Sequence, residues 1–188
     1  TAEYDPDEVV EFEDSKFQAL TLYYDKNNDG KLQAWEAALV TELELSGQSI
    51  KSLRGIEYFT ELESLNCTSN LLTSLDVTNN RKLRALGCKS NQIVSLDVTP
   101  LRDLQILNCE SNRLTSLDVS QNTELVHLLC GMNSGAMTDD DGITKIDVSN
   151  NPKLETLSVY YLNLSELDVT NNPSLKKLDF GMCCHTRW

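Results

Sequence analysis

Between Asp25 and Glu36 the chain reads Asp-Lys-Asn-Asn-Asp-Gly-Lys-Leu-Gln-Ala-Trp-Glu, which places three carboxylates and several amide side chains within twelve residues. Oxygen donors crowded in this way suit a hard cation, and three carboxylates against a divalent ion leave a local charge of about −1. Thiols are the second reactive group. Cys67, Cys88, Cys109 and Cys130 stand 21 residues apart, and Cys183 and Cys184 adjoin each other near the C-terminus. Side chains repeated at one fixed step in adjacent coils point the same way, which suits the disulfide torsion poorly. A single file of thiols without histidine also makes a poor metal site. The four periodic cysteines are therefore expected to face inward as small apolar residues. For Cys183 and Cys184, packing over the chain's last coil and a vicinal or intermolecular disulfide both remain open. The two histidines, His127 and His185, make no catalytic constellation with their sequence neighbours, and no phosphate-binding loop or zinc-protease motif occurs.

Residues 25–36 resemble the EF-hand calcium loop, D-x-[DN]-x-[DN]-G-x5-E. The resemblance implies Asp25, Asn27 and Asp29 as the first, third and fifth ligands, and Lys31 through its backbone carbonyl. It implies Gln33 directly or through water, and Glu36 as the closing bidentate carboxylate. Gly30 would make the bend and Leu32 would point back into the protein. Hydrophobic spacing predicts an entering helix over 8–24 and an exiting helix over 35–45. Only one such loop is found: Asp139-Asp140-Asp141-Gly142 is acidic, but no ligand pattern follows it. A lone loop of this kind implies bound Ca2+ as a structural brace and not a calcium-driven switch.

The elements that would hold these groups follow from a repeat. Leu62, Leu83, Leu104 and Leu125 share the 21-residue step of the cysteines, as do Asn70, Asn91, Asn112 and Asn133. The unit is L-x-x-L-x-C-x-x-N-x-L-x-x-L-D-V-x-x-N-x-x. The step from Leu125 to Leu154 is 29 residues, one unit plus an insertion of 8, and Leu154 to Leu175 is 21 again. Val159 and Phe180 take the cysteine place in the last two coils, and residues 43–61 form a degenerate first coil. Alternation at Leu65-x-Cys67 marks a strand with one buried face. Leu75-x-Val77 predicts a second short extended segment across the coil. An inward Asn can satisfy the amides that a tight coil turns toward its interior. Six coils stacked as a parallel ladder would extend ~30 Å and bury their leucines jointly. A unit this short leaves little room for helix outside the N-terminus.

The pattern resembles the leucine-rich repeat, and most closely the 21-residue cysteine-containing repeats of the internalin-like bacterial surface proteins. The resemblance covers roughly 43–180. It implies an α/β solenoid, a right-handed leucine-rich-repeat superhelix, with residues 1–48 as a helical EF-hand-like cap continuous with a solenoid over 49–188. It also implies a secreted or cell-surface location and a role in recognition or adhesion. No basic-then-apolar leader follows Thr1, and no apolar run is long enough to span a bilayer.

Charge bears on partners. The net charge is −13, from 16 basic and 29 acidic residues, which argues against a nucleic-acid partner. Residues 1–48 alone carry 12 acidic and 3 basic residues. Asp76, Asp97, Asp118, Asp147 and Asp168 recur one per coil, and each is expected to accept hydrogen bonds from its own turn and from the Thr or Ser two residues on. Ligand-binding residues should be those that vary between copies on the outward, strand-lined face. The candidates are Ile106, Glu110, His127, Leu129, Ser158 and Tyr160, with the insertion around 132–141 beside them. The expected function is non-enzymatic binding of a protein or glycan at that concave face. The alternative is a structural spacer with no ligand of its own.

Overall fold

The computed structural model describes residues 5–133 and 142–181. Seven three-residue strands follow one another in a single sheet, every neighbouring pair parallel. They are β1 (Glu42–Glu44), β2 (Ser64–Asn66), β3 (Ala85–Gly87), β4 (Ile106–Asn108), β5 (His127–Leu129), β6 (Thr156–Ser158) and β7 (Lys177–Asp179). The central residues Leu43, Leu65, Leu86, Leu107, Leu128, Leu157 and Leu178 lie in register across the sheet. Each strand needs only one such leucine, because stacking gives it a leucine above and below. Cys67, Cys88, Cys109 and Cys130 are fully buried in an inner file, carry reduced thiols and are continued by the buried Val159. Burial pushes the Cys88 thiol up to about 12, and it raises Cys67 and Cys109 well above the ordinary thiol value. The 8-residue insertion between β5 and β6 is accommodated without any shift of register between those strands.

Two asparagine files hold the turns. Asn112 is representative of the first: its Nδ2 donates to the carbonyls of Cys88 and Cys109 at 3.0 and 3.1 Å, and its Oδ1 accepts Ile93 N–H at 3.0 Å. Asn70, Asn91 and Asn133 repeat this bridge. The second file, Asn80, Asn122, Asn151 and Asn172, donates in the same manner to two carbonyls each. Its Oδ1 atoms are buried without a hydrogen-bond partner. The aspartate column behaves as expected. Asp76, Asp97, Asp118, Asp147 and Asp168 each accept the backbone N–H two residues on, at 2.8–3.0 Å. The Thr78 hydroxyl and then its N–H lower Asp76 below the usual carboxylate range, and for Asp118, Asp147 and Asp168 the backbone N–H and then the Ser or Thr hydroxyl do so. The segment Leu75-x-Val77 alternates inward as expected, with both residues buried, but it belongs to no strand of the sheet.

The N-terminal segment departs from the helical expectation. The entering helix is confined to α1 (Ser15–Thr21), followed by a 3₁₀ turn over Leu22–Tyr24. The exiting helix is the single turn α2 (Ala34–Ala37). Residues 42–44, expected as helix, are instead β1 and already belong to the sheet. The reason lies in Glu42-Leu43-Glu44-Leu45, which alternates with period 2 and finds an edge to pair with. Residues 5–41 still close the first coil. Phe17 is fully buried, edge-on to Phe12 at 5.0 Å and 6.1 Å from Phe59. Asp14 caps α1 through Oδ1, and its Oδ2 accepts Lys51 N–H at 2.8 Å, tying the helix to the coil below.

Candidate functional site

Two places bring the candidate residues together. The first is the loop between the helices. Gly30 holds φ +82°, and its N–H donates to Asp25 Oδ2 at 2.8 Å, so a residue free of side-chain sterics makes the bend. Asp25 Oδ1 accepts Asn28 N–H at 2.7 Å, and Asp29 Oδ1 accepts Lys31 N–H at 2.9 Å. Gln33 Nε2 donates to Asp29 Oδ2 at 2.6 Å, and Asn27 donates weakly to both Asp29 and Gln33. Glu36 is fully buried, accepting Lys26 and Asn27 N–H through Oε1 and Gln33 N–H through Oε2. Leu32 is buried as the motif requires. Hydrogen bonds, chiefly from Lys31 N–H and Gln33, outweigh desolvation and hold Asp29 below the usual carboxylate range.

The donor chemistry of this loop suits a hard cation: its side chains offer carboxylate and amide oxygens, and Asp25, Asp29 and Glu36 supply the charge. Among the described residues, however, no three Asp, Glu, His or Cys side chains are gathered as a ready metal site. The carboxylates are engaged by the loop's own N–H groups, each retaining lone pairs beyond those bonds. An ion here would be held by Asp25, Asn27, Asp29, the Lys31 carbonyl, Gln33 and Glu36, through the oxygen lone pairs that the loop's own N–H groups leave free.

The second place is the strand face. Ile106 is 42% exposed, and His127 and Leu129 are half-exposed in the adjacent coil. Glu110 and Ser158, expected outward, are each 4% exposed. Glu110 Oε2 pairs with Lys89 Nζ at 2.8 Å, and Oε1 lies 3.4 Å from Ser158 Oγ, two coils away. The coil between them carries Gly131 in this column. A Cβ there would sit 2.6 Å from the Tyr160 ring and 2.7 Å from its carbonyl, so Tyr160 folds over the glycine. Tyr160 is accordingly half-buried and not the free anchor expected. Its neighbour Tyr161 is 50% exposed, edge-on at 5.9 Å. The hydrogen bond to Glu110 raises the Lys89 ammonium above its ordinary range. Desolvation, then the Glu110 charge, raises the Tyr160 hydroxyl. Lys89, Gly131, Met132 and Tyr161 were not among the sequence candidates. Gly131, flanked in its column by Glu110 and Tyr160 where Thr68, Lys89 and a second glycine, Gly181, fill the other coils, was the available signal. The insertion at 134–141, and Cys183, Cys184 and His185, lie outside the described residues.

Comparison with known proteins agrees with this geometry. The functional domain of InlJ from Listeria monocytogenes, described as including a cysteine ladder, is 35% identical with a TM-score of 0.74, covering 94% of this chain and 43% of that one. This chain is an internalin-like leucine-rich-repeat solenoid. An internalin, InlF, from the same species is 20% identical with a TM-score of 0.63, over 89% of this chain and 56% of its own. The plant peptide hormone receptor RGFR1, solved in complex with RGF2, shares the fold at 20% identity and a TM-score of 0.64, over 79% of this chain and 25% of its own. The solenoid described here thus spans less than two thirds of the length of these structures. No protein-family model and no curated protein sequence matches the chain. Among the described residues, no helix is long and apolar enough to cross a membrane.

Proposed function

We propose that this internalin-like chain is a non-enzymatic recognition module of a secreted or cell-surface bacterial protein. It binds a protein or glycan through its strand-lined face, and Ca2+ braces its N-terminal segment. The observation that carries the recognition reading is the contrast between the two sides of each strand. Inward positions repeat as leucine in all seven strands. Outward positions change from coil to coil, through Ala85, Ile106, His127, Thr156 and Lys177 on one row alone. A solenoid that served only as a spacer would need no such variation and no exposed isoleucine at its centre. The likeness to InlJ supports the surface location, and the peptide hormone receptor among the fold's neighbours supports binding of a protein ligand.

The test is capture against a glycan array and a panel of extracellular protein domains, using the wild-type chain and Ile106→Ser and Leu129→Ser variants. Tyr160 is left intact, since its ring packs on Gly131. Wild-type capture weakened roughly tenfold in each variant supports the face. Unchanged capture in both removes it, and no capture at all returns the chain to a spacer.

A further inference from the structure

One column of the solenoid changes character beside the insertion. Ser49, Ser69, Ser90 and Ser111 occupy the left-handed region, with φ of 55–56°. In the next two coils Met132 (φ 54°) and Tyr161 (φ 55°) take that place. Left-handed backbone crowds any Cβ, and bulky side chains there are outliers that persist only where the surroundings fix them. Burial is not what these two gain, because Met132 is 42% and Tyr161 50% exposed.

Their backbone bonds are those of the serine coils, and their side chains have neighbours of their own. Met132 N–H donates to the Tyr160 carbonyl at 2.9 Å, and Tyr161 N–H to the Gly181 carbonyl at 3.1 Å. The Tyr161 ring meets Tyr160 at 74°, and Tyr160 rests on Gly131. Two adjacent coils thus present a thioether and two crossed phenol rings along one edge of the strand face. Glu110 is neutralised by Lys89, whereas Asp179, whose charge reaches Tyr160, is in no ion pair among the described residues, and neither is Lys177 two residues before it on the same face of β7. The whole chain carries −13.

We propose that Met132, Tyr160 and Tyr161 form a docking edge for a basic protein segment, which lays an arginine against the tyrosine rings beside Asp179. This rests on the recognition reading and names the partner's chemistry. A guanidinium suits the place because it stacks on an aromatic face and pairs with a carboxylate through the same planar group, which an ammonium does less well. The Asp179 carboxylate supplies the acidic contact, since most of the chain's negative charge sits in residues 1–48 at the other end of the stack.

The probe is a short alternating Arg-Gly peptide, followed by fluorescence polarisation, with Lys-Gly and Glu-Gly peptides as comparisons. The Arg peptide is expected to bind more tightly than the Lys peptide, and the Glu peptide not at all. Tyr161→Ser and Met132→Ser should each weaken binding roughly tenfold, and Asp179→Asn roughly threefold. Both serine variants install the residue that four other coils carry. Their melting temperatures should therefore match or exceed the wild type. Absence of Arg-peptide binding, equal binding by all variants, or equal binding of Arg and Lys peptides would overturn the docking edge. So would serine variants that melt well below the wild type, which would make these side chains structural. Array capture lost in Ile106→Ser but untouched in Tyr161→Ser would sink this inference alone and leave the strand face standing.

Discussion

Asn112 and Asn122 are both buried and both bridge two coils, yet their amides are used differently. Asn112 is satisfied at both ends, donating to Cys88 and Cys109 and accepting from Ile93. Asn122 donates to Val98 and Leu101 at 2.8 and 2.7 Å, while its Oδ1 has no partner. The preceding coil carries Leu101 where this second file would have an asparagine. Removing Asn112 strands the buried Ile93 N–H, which costs ~1–3 kcal/mol unpaired, while the Cys88 and Cys109 carbonyls each keep one bond, from Asn91 and Asn133. Asn112→Ala is therefore expected to destabilise the chain by about 2 kcal/mol, a drop of roughly 5 °C in melting temperature. Asn122→Leu removes an orphaned acceptor along with its donor and should lower the melting temperature by less than half as much. Thermal unfolding of the two variants side by side checks the order, and an equal drop would show that both files carry the same load. The files were legible because asparagine recurs at one step. The burial of Glu110 was not, because its carboxylate is met by Lys89 and Ser158 in other coils, which its own place in the unit does not show.

At the scale of elements, the loop between α1 and α2 decides how firmly the first coil is closed. Glu36 is the hinge of the calcium proposal, since it also satisfies Lys26, Asn27 and Gln33 N–H and completes the capping box of α2. An ion that binds only the folded loop adds its binding free energy to stability. At a hundredfold excess over its dissociation constant this is ~2.7 kcal/mol, or roughly 5–10 °C for a chain of this size. Differential scanning fluorimetry in Ca2+ and in chelator should show that gap for the wild type. Glu36→Gln, which keeps the shape but loses the charge, should melt at one temperature in both. A wild type indifferent to chelator would end the brace. The ligand motif was visible in sequence because each position demands a residue type. The exiting helix was misjudged because 35–45 carries two overlapping periodicities. The alternation at Glu42–Leu45 wins once β2 offers a parallel edge, since pairing recovers backbone hydrogen bonds that an isolated helical turn does not.

The whole molecule is close to one-dimensional, with each coil resting on its neighbours, so its stability need not be uniform along the axis. The N-terminal end is sealed by Phe17 and Phe59, both fully buried. The last coil differs: Leu167, Val169, Leu175 and Leu178 are only partly buried, where their counterparts Ile146, Val148, Leu154 and Leu157 are at most 5% exposed. Opening should therefore begin at β7 and travel toward β1. The inner thiols report on it, one per coil, because a fully buried thiol raised as far as Cys88 is protonated and shielded from reagent. Pulsed alkylation at rising denaturant, resolved by peptide mass, should label Cys130 first, then Cys109 and Cys88, and Cys67 last. Simultaneous labelling of all four would mean that the coils unfold as one unit. Labelling of Cys67 ahead of Cys130 would place the weak end at the N-terminal segment instead. In the predicted order, chelation should bring Cys67 forward while leaving Cys130 unchanged, because an ion at Asp25–Glu36 acts on the coil it covers and its influence fades along a stack joined only by nearest-neighbour contacts.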